Sequence, residues 1–488
     1  MATLVVVGAA AFAWRTFGEA DEDEAPRPRH RAVNGPASTE PLPDFDNDGV
    51  PDTYATARYG GAVFVVYGSR AGDGKGKGGG GDFGRRDRLT LDSPGVPGKD
   101  NRSSSFGEYH TARDLDGDGY TDLVASVEST GDDERRPGLT VLWGSKEGLK
   151  HGTSLSRTPK GYPDPNENAP VVAGDFDGDG HSDLVVGGAR QKLLKGPFSR
   201  RGEPAGTDEV PNPFPSVGEK LELEGAYAGD LNGDGADDLV TSHTTEDDGV
   251  GGGQVRGSYL AGGPDGFRPP DTERLPGIET ATTGDVDKDG YTDLVLRRYP
   301  KGVAPDSAPS GPVEVFHGAK DGPDPDRRTT IDQNSPGVPG GKTQTFGSAL
   351  AAGDVDGDGH ADVAVGTPMS LLDKSPSSVT VLRGGSEGLT GRGARRVEEP
   401  DSAPQMTEED GTTLGNQFAG AVRLGDLDGD DRAELVVGAP NTGDHVGALW
   451  ILPHRDGAWP EKEAHSYEPD DFPGSASRRE SEMGAQVR

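Results

Sequence analysis

The sequence predicts an all-β fold made of repeated units, and three observations support this. An acidic motif of the general form D-x-D-x-D-G-x-x-D occurs seven times between Asp44 and Glu434, with starts 55 to 72 residues apart. Short β-branched apolar runs that end in glycine surround the copies, which is typical of buried strands. No segment keeps an apolar period of 3.6 residues, so amphipathic helices are not expected.

The composition suits an all-β repeat protein with long turns. Only 31% of the residues are hydrophobic, and 78 glycines and 39 prolines separate the apolar runs. The net charge of −35, without a compensating basic stripe, argues against nucleic acid and anionic membrane surfaces as partners. The chain has no cysteine, which excludes disulfides, thiolate metal sites and cysteine nucleophiles.

The N-terminal region predicts export. Residues 1–13 form a short apolar run that ends in an A-x-A pattern, as secretory signals do. This run is short for a membrane span, and the alternatives of a cleaved signal and an uncleaved membrane anchor both stay open. Residues 14–40 are charged and proline-rich, which indicates a flexible linker. Residues 41–488 contain all the repeats, and the protein is expected to be secreted or exposed at the cell surface.

The acidic motif predicts a calcium loop that leads into a strand. Acids at positions 1, 3 and 5 and glycine at position 6 match the start of an EF-hand loop. In the copy that begins at Asp354, however, position 12 is Val365, and the fourth carboxylate, Asp362, comes at position 9. The residues that follow form a short apolar run that ends in glycine, which favours a strand over the second helix of an EF-hand.

Other features recur with the loops and point to a known family. Phe106-Gly107, Phe346-Gly347 and Phe418-Ala419 each stand eight residues before a loop, and a Gly-Ala-Pro triplet follows the last loop at 438–440. This pattern resembles the FG-GAP repeats of integrin α-subunits and of secreted bacterial FG-GAP or VCBS-type proteins. The resemblance implies a seven-bladed β-propeller with about four strands in each blade. A loop in every unit makes the chain more similar to the bacterial proteins, since integrin α-subunits have such loops in only some blades.

The resemblance also implies the calcium ligands, which are the side chains at positions 1, 3, 5 and 9 with the backbone carbonyl of position 7. Up to seven Ca²⁺ ions are expected. We expect a weaker site where asparagine stands at position 3, and the weakest site in the last loop, where Asp431 replaces the turn glycine. The predicted ligands are Asp44, Asp46, Asp48 and Asp52; Asp114, Asp116, Asp118 and Asp122; Asp175, Asp177, Asp179 and Asp183; Asp230, Asn232, Asp234 and Asp238; Asp285, Asp287, Asp289 and Asp293; Asp354, Asp356, Asp358 and Asp362; and Asp426, Asp428, Asp430 and Glu434.

The two ends of the repeat region predict how the ring closes. No FG-type strand precedes the first loop, whereas Met483-Gly484 near the C-terminus stands where Phe346-Gly347 does in its repeat. An open sheet edge is a liability. We therefore expect Met483–Val487 to pair with the blade that contains Asp44.

These patterns favour a monomeric extracellular binding or adhesion module whose partner is a protein or a glycan. No catalytic residue is predicted, because no catalytic motif occurs outside the acidic loops. Two alternatives stay open: an extracellular hydrolase or lyase that uses the propeller as a scaffold, and a carbohydrate-binding lectin. A ligand site is expected in the long segments Gly72–Gly84, Lys192–Val217 and Arg297–Pro312, because binding residues are often found on loops.

Overall fold

The computed structural model describes residues 41–57, 61–70, 83–98, 105–131, 134–155, 170–188, 190–217, 221–245, 254–299, 311–340, 343, 345–369, 375–403, 415–474 and 482–488. The predicted apolar segment 1–13 and the linker 14–40 lie outside these residues. The described residues contain 27 strands, one helical turn at Thr442–His445 and 3-10 turns at Glu461–Glu463 and Pro469–Asp471. None of the described helices is long and apolar enough to cross a membrane.

The strands form seven sheets, which we number as blades 1 to 7 in the order of their acidic loops. Blade 1 contains β1 (Thr53–Ala57), β2 (Val63–Val66), β3 (Arg86–Leu89) and the C-terminal strand β27 (Met483–Val487). Blade 2 contains β4 (Ser105–Arg113), β5 (Asp122–Gly131), β6 (Glu134–Trp143) and β7 (His151–Ser154), and blade 3 contains β8 (Val172–Gly174), β9 (Asp183–Val186), β10 (Lys192–Lys195) and β11 (Gly206–Glu209). Blade 4 contains β12 (Leu221–Gly229), β13 (Asp238–Thr245) and β14 (Gln254–Leu260), and blade 5 contains β15 (Ile278–Gly284), β16 (Asp293–Arg298), β17 (Val313–Phe316) and β18 (Arg328–Ile331). Blade 6 contains β19 (Ala349–Gly353), β20 (Asp362–Thr367), β21 (Ser378–Arg383) and β22 (Thr390–Glu398), and blade 7 contains β23 (Ala421–Gly425), β24 (Glu434–Ala439), β25 (Ala448–Leu452) and β26 (His465–Tyr467).

The predicted seven-bladed β-propeller is confirmed. Six blades are four-stranded antiparallel sheets, and blade 4 has three strands among the described residues. In blade 4 an isolated bridge between Tyr259 and Asp271 lies beside β14, where the other blades place a fourth strand. The segment Lys192–Val217, expected to be a variable loop, is instead partly sheet, because β10 and β11 pair within it. β11, with the sequence GTDE, is the outer strand of the blade and has no apolar residue, so the apolar pattern did not predict it.

The hydrophobic core is divided into seven clusters, one between each pair of neighbouring blades. Side chains alternate across a strand, so each blade contributes to two clusters. In β2, Val63 and Val65 pack against blade 2, while Phe64 and Val66 pack against blade 7. Burial on both faces explains why the middle strands are nearly continuous apolar runs.

The Phe-Gly pairs of blades 2 and 6, and Phe418-Ala419 of blade 7, connect these blades to the ones before them. The Phe106 side chain is fully buried in the cluster between blades 1 and 2, where it packs with Val63 and Val65. Gly107 has a φ of +84°, and a Cβ on it would stand 3.0 Å from a methyl carbon of Val63. Glycine is favoured here because an L side chain would be strained and crowded.

The predicted closure of the ring is confirmed. β27 pairs antiparallel with β1, and the Arg488 backbone exchanges hydrogen bonds of 2.9 and 3.0 Å with Tyr54. Met483 is fully buried between blades 7 and 1, and Gly484 has a φ of +88°, close to the value at Gly107. Met483-Gly484 therefore has the same packing role in blade 1 as Phe106-Gly107 has in blade 2. The inner strands of all seven blades line a central cavity of about 380 Å³.

Candidate metal centres in the seven loops

The first aspartate of each motif folds its loop. In all seven loops the position-1 carboxylate accepts a hydrogen bond from the backbone N–H of position 6, at 2.8–3.1 Å. The backbone at position 6 lies in the left-handed region, with φ between +82° and +92° at the six glycines. The sharp turn that glycine predicts is therefore present in every loop.

Asp431 occupies this turn position in blade 7 with a φ of +67°, as expected for a residue that replaces the glycine. We expect Asp431→Gly to stabilise the protein by about 0.5–1 kcal/mol, since glycine adopts this conformation without steric cost. Urea unfolding in EDTA would measure the effect. The matched control is Asp431→Ala, which keeps the strained conformation and should not stabilise. Equal effects of the two substitutions would contradict this explanation.

The position-9 carboxylate is the buried anchor of each loop. It is at most 2% exposed in all seven blades. One oxygen accepts the N–H of loop position 2, and the other accepts an N–H just after the next strand of the blade, at 2.6–3.3 Å. In six blades the second donor is a glycine, and in blade 7 it is His454. Position 9 thus connects the loop to two strands, a role that the sequence did not reveal.

In blades 1, 2, 3 and 5, three of the predicted ligands converge. In blades 1 and 5, carboxylate oxygens from positions 1, 3 and 5 lie within 4.8 Å of one another, and in blades 2 and 3 the oxygens from positions 1, 3 and 9 do so. At position 3, Asp116 Oδ1 and Asp428 Oδ1 are buried without a hydrogen-bond partner. Buried polar atoms without partners are rare and costly in folded proteins. A set of hard oxygen donors with such orphaned atoms fits a divalent cation of the calcium type.

Crowding of these acids is visible in their proton affinities. Burial first, and repulsion from neighbouring loop carboxylates in addition, raise the pKa of Asp183 and of Asp238 to about 7 and that of Glu434 to about 8. Burial likewise raises the pKa of Asp116 to about 6, followed by repulsion from Asp118. A cation in the loop would favour the ionised forms.

These shifts predict that stability without metal falls as the pH rises. Unfolded aspartates lose their protons near 3.8, whereas Asp183 and Asp238 keep theirs to about pH 7 in the folded protein. The folded state therefore binds more protons between about pH 4 and 7. Urea unfolding in EDTA should show a higher free energy of unfolding at pH 5.5 than at pH 8. Saturating Ca²⁺ should weaken or reverse this trend. Greater stability at pH 8 in EDTA would contradict the prediction.

A basic side chain reaches every loop, which the sequence analysis missed. In each blade a lysine or arginine nitrogen lies 2.5–3.8 Å from a carboxylate oxygen at position 3 or 5. In blades 3 and 6 this residue directly precedes the glycine that position 9 holds, as in the stretches 193–196 (LLKG) and 381–384 (VLRG). In blades 1 and 2 the residue before this glycine is instead aromatic, and the basic residue is an arginine that stacks on its ring. In these four blades, the type of residue before this glycine could have predicted the basic group at the loop. The seven residues are Arg85, Arg200, Lys195, Arg268, Arg327, Arg383 and Arg455.

The loops are also joined to one another along one face of the ring. At six junctions between blades, the backbone carbonyl of loop position 2 accepts an N–H from the following blade, at 2.7–3.2 Å. At four of these, the carbonyl of position 1 also accepts the N–H of position 8 in the next loop. We call this set of bonds the loop belt. It ties the geometry of each candidate site to that of its neighbour.

Comparison with known proteins agrees with this architecture. The FG-GAP repeat model matches residues 346–382 and 418–452, and a model for an FG-GAP-like repeat matches residues 114–186. Curated relatives include integrin alpha-PS2 of Drosophila melanogaster, 33% identical over 221 residues, which are 40% of this chain and 15% of that protein. Integrin alpha pat-2 of Caenorhabditis briggsae is 28% identical over 268 residues, covering 49% of this chain and 20% of the relative. Integrin alpha-4 of Xenopus laevis is 32% identical over 111 residues, covering 23% and 10%.

The chain spans at most a fifth of the length of these relatives. The matched residues include the acidic loops of blades 2, 3, 6 and 7. Together with the seven-bladed ring, they identify the chain as an FG-GAP repeat protein that resembles the β-propeller of integrin α-subunits.

Proposed function

We propose that this protein is an extracellular binding module whose propeller is stabilised by Ca²⁺ in its seven loops. The observation that carries the proposal is the convergence of three loop carboxylates in each of blades 1, 2, 3 and 5, with buried carboxylate oxygens at Asp116 and Asp428 that lack a partner. The integrin relatives support a role in binding extracellular proteins. The charge is consistent, since seven Ca²⁺ ions would add 14 positive charges to a net charge of −35.

In each loop, positions 1, 3, 5 and 9 would hold the ion. Burial and mutual repulsion disfavour the ionised forms of these acids, and the positive charge of calcium would stabilise those forms. The basic side chains that contact the carboxylates of positions 3 and 5 would turn outward when the ion binds. Several can do so because their charged groups lie near the surface. The Arg327 side chain, for example, is 49% exposed.

Removal of calcium should destabilise the whole ring. Extracellular calcium modules bind with dissociation constants of about 10⁻⁴–10⁻³ M, so millimolar calcium adds about 0.4–1.4 kcal/mol per site. Seven sites together contribute about 3–10 kcal/mol, comparable to the stability of a typical domain. Thermal unfolding should therefore shift sharply downward when EDTA replaces Ca²⁺, and calorimetric titration should give up to seven ions per chain.

The variant Asp116→Asn tests one site within this total. It removes the charge of a position-3 ligand, so the titration should show one ion fewer, or one much weaker, with the other sites unchanged. The control Asp401→Asn alters an exposed acid outside the loops. An unchanged melting curve in excess EDTA, with no calcium bound, would refute the proposal.

The binding role needs a separate test. The purified chain would be screened against arrays of extracellular matrix proteins and glycans, in Ca²⁺ and in EDTA. We expect a protein ligand that is bound in calcium and lost in EDTA. Glycan binding alone would instead favour a lectin, and turnover of an arrayed polymer would favour a hydrolase or lyase.

A further inference from the structure

The loop of blade 5 differs from the other six in its ligand atoms. The residue before the backbone N–H that position 9 binds is His317, where the other blades have Tyr67, Trp143, Lys195, Ala261, Arg383 and Pro453. Among these seven described positions, only His317 offers an uncharged nitrogen that can bind a metal. Its side chain is 7% exposed and projects into the loop.

The imidazole is held in one orientation. Its Nε2 lies 3.2 Å from the hydroxyl of Thr329 on β18, and the neighbouring Gly318 N–H is bound by Asp293 at 2.8 Å. If Nε2–H donates to the Thr329 oxygen, the lone pair of Nδ1 points into the loop. A metal-binding histidine is usually oriented by such a hydrogen bond from its other nitrogen.

The Nδ1 atom faces two carboxylates without bonding to either. Asp287 Oδ2 and Asp293 Oδ1 each lie 3.3 Å from it, yet this buried nitrogen has no hydrogen-bond partner. A lone pair that faces two anionic oxygens is repulsive unless positive charge lies between them, and either a proton on Nδ1 or a metal ion that replaces this proton supplies that charge. The three atoms fall within 4.8 Å of one another, and ligand atoms on a tetrahedral zinc are about 3.3–3.4 Å apart when the bonds are about 2.0–2.1 Å long.

The only other group described at these carboxylates that carries positive charge is Arg327. Its guanidinium lies 3.3 Å from Asp287 and 3.5 Å from Asp289, and half of the side chain is exposed. It approaches from the solvent side and can leave without uncovering a core. The pocket between His317, Asp287 and Asp293 can therefore accept an ion.

We propose that the blade 5 loop is a transition-metal site, with His317 Nδ1, Asp287 and Asp293 as protein ligands and Zn²⁺ as the preferred ion. Imidazole nitrogen suits zinc and its neighbours, whereas calcium takes oxygen ligands. This inference rests on the proposed role of the loops as cation sites, and it assigns a different ion to one of them.

The test is calorimetric titration of the untagged full chain with Zn²⁺ in millimolar Ca²⁺. We expect one zinc ion per chain, bound at least about tenfold more weakly by His317→Gln, because loss of a direct ligand should cost at least as much as loss of its orienting partner. The matched control is His360→Gln, since His360 contacts a single carboxylate of the blade 6 loop at 3.1 Å. With Co²⁺ as a probe, the visible spectrum of a nitrogen-containing site should appear and should vanish in His317→Gln.

A second variant guards against misfolding. His317→Arg introduces at blade 5 the side chain that blade 6 has at the equivalent place, so the fold should persist, as melting curves in EDTA would verify, while zinc binding is lost. Zinc affinity that is unchanged in both variants, or no zinc binding by the wild-type chain, would overturn the inference. Calcium stoichiometry measured on the same samples separates the two proposals. If the chain binds calcium but not zinc, only this inference is refuted. If it binds zinc through His317 but does not bind calcium, only the proposed calcium role is refuted.

Discussion

Met483→Asp is expected to unfold the propeller or to lower its free energy of unfolding by at least about 3–5 kcal/mol. Met483 is fully buried between blades 7 and 1 and begins the strand that closes the ring. The substitution removes an apolar side chain from this cluster and buries an unpaired charge. Deletion of residues 483–488 should have at least as large an effect, because β1 would lose its inner neighbour.

The matched control lies on the same strand. Gln486 is exposed and donates one hydrogen bond to the Glu108 carbonyl, so Gln486→Asp adds the same charge outside the core. Its cost should stay near 1 kcal/mol. Urea unfolding would measure the free energy of unfolding of both variants. In Met483→Asp, hydrogen exchange should rise first in Val63–Val66. Similar stabilities of the two variants would show that closure by β27 contributes little.

Asp122→Ala is expected to destabilise the protein strongly even without metal. The Asp122 carboxylate is fully buried and accepts the N–H groups of Leu115 at 2.9 Å and Gly144 at 2.8 Å. Its removal leaves two buried donors without an acceptor, which costs about 1–3 kcal/mol each, or about 2–6 kcal/mol in total.

The control for Asp122 is Asp118→Ala in the same loop. Asp118 accepts one exposed N–H at 3.1 Å and a contact from Arg200, so its loss in EDTA should cost less than about 1 kcal/mol. In saturating Ca²⁺ both variants should lose stability, because each removes a predicted ligand. Urea unfolding in EDTA and in Ca²⁺ separates the two roles. Equal costs in EDTA would mean that position 9 acts only as a metal ligand.

Local patterns predicted most of the fold. The spacing of the acidic motif located all seven loops, and the apolar runs after them located the middle strands, because those strands are buried on both faces. The resemblance of Met483-Gly484 to Phe346-Gly347 predicted the crossing strand. The outer strands were harder to predict. β11, with the sequence GTDE, is polar and has no buried residue, so it carries no apolar alternation.

The chemistry of the loops was only partly predictable. Acid residues at fixed offsets predicted which carboxylates converge, because a tight turn brings neighbours in sequence together. The basic side chains come from other strands or from the next blade, as Arg200 of blade 3 does at the loop of blade 2. The same holds for His317, which lies 24 to 30 positions from the carboxylates that it faces. Such contacts depend on strand pairing, which a local motif does not contain.

The loop belt has a consequence for how ions would fill the ring. A cation held in one loop would also hold the carbonyls of positions 1 and 2, which accept N–H groups from the following blade. Ordering one loop therefore lowers the entropy that its neighbour must lose on binding, which is positive coupling without a change of shape. Among the described residues the belt spans six of the seven junctions, so five blades have a belt neighbour on each side and blades 6 and 7 have one. Calcium should therefore enter and leave over a narrower concentration range than seven independent sites would show.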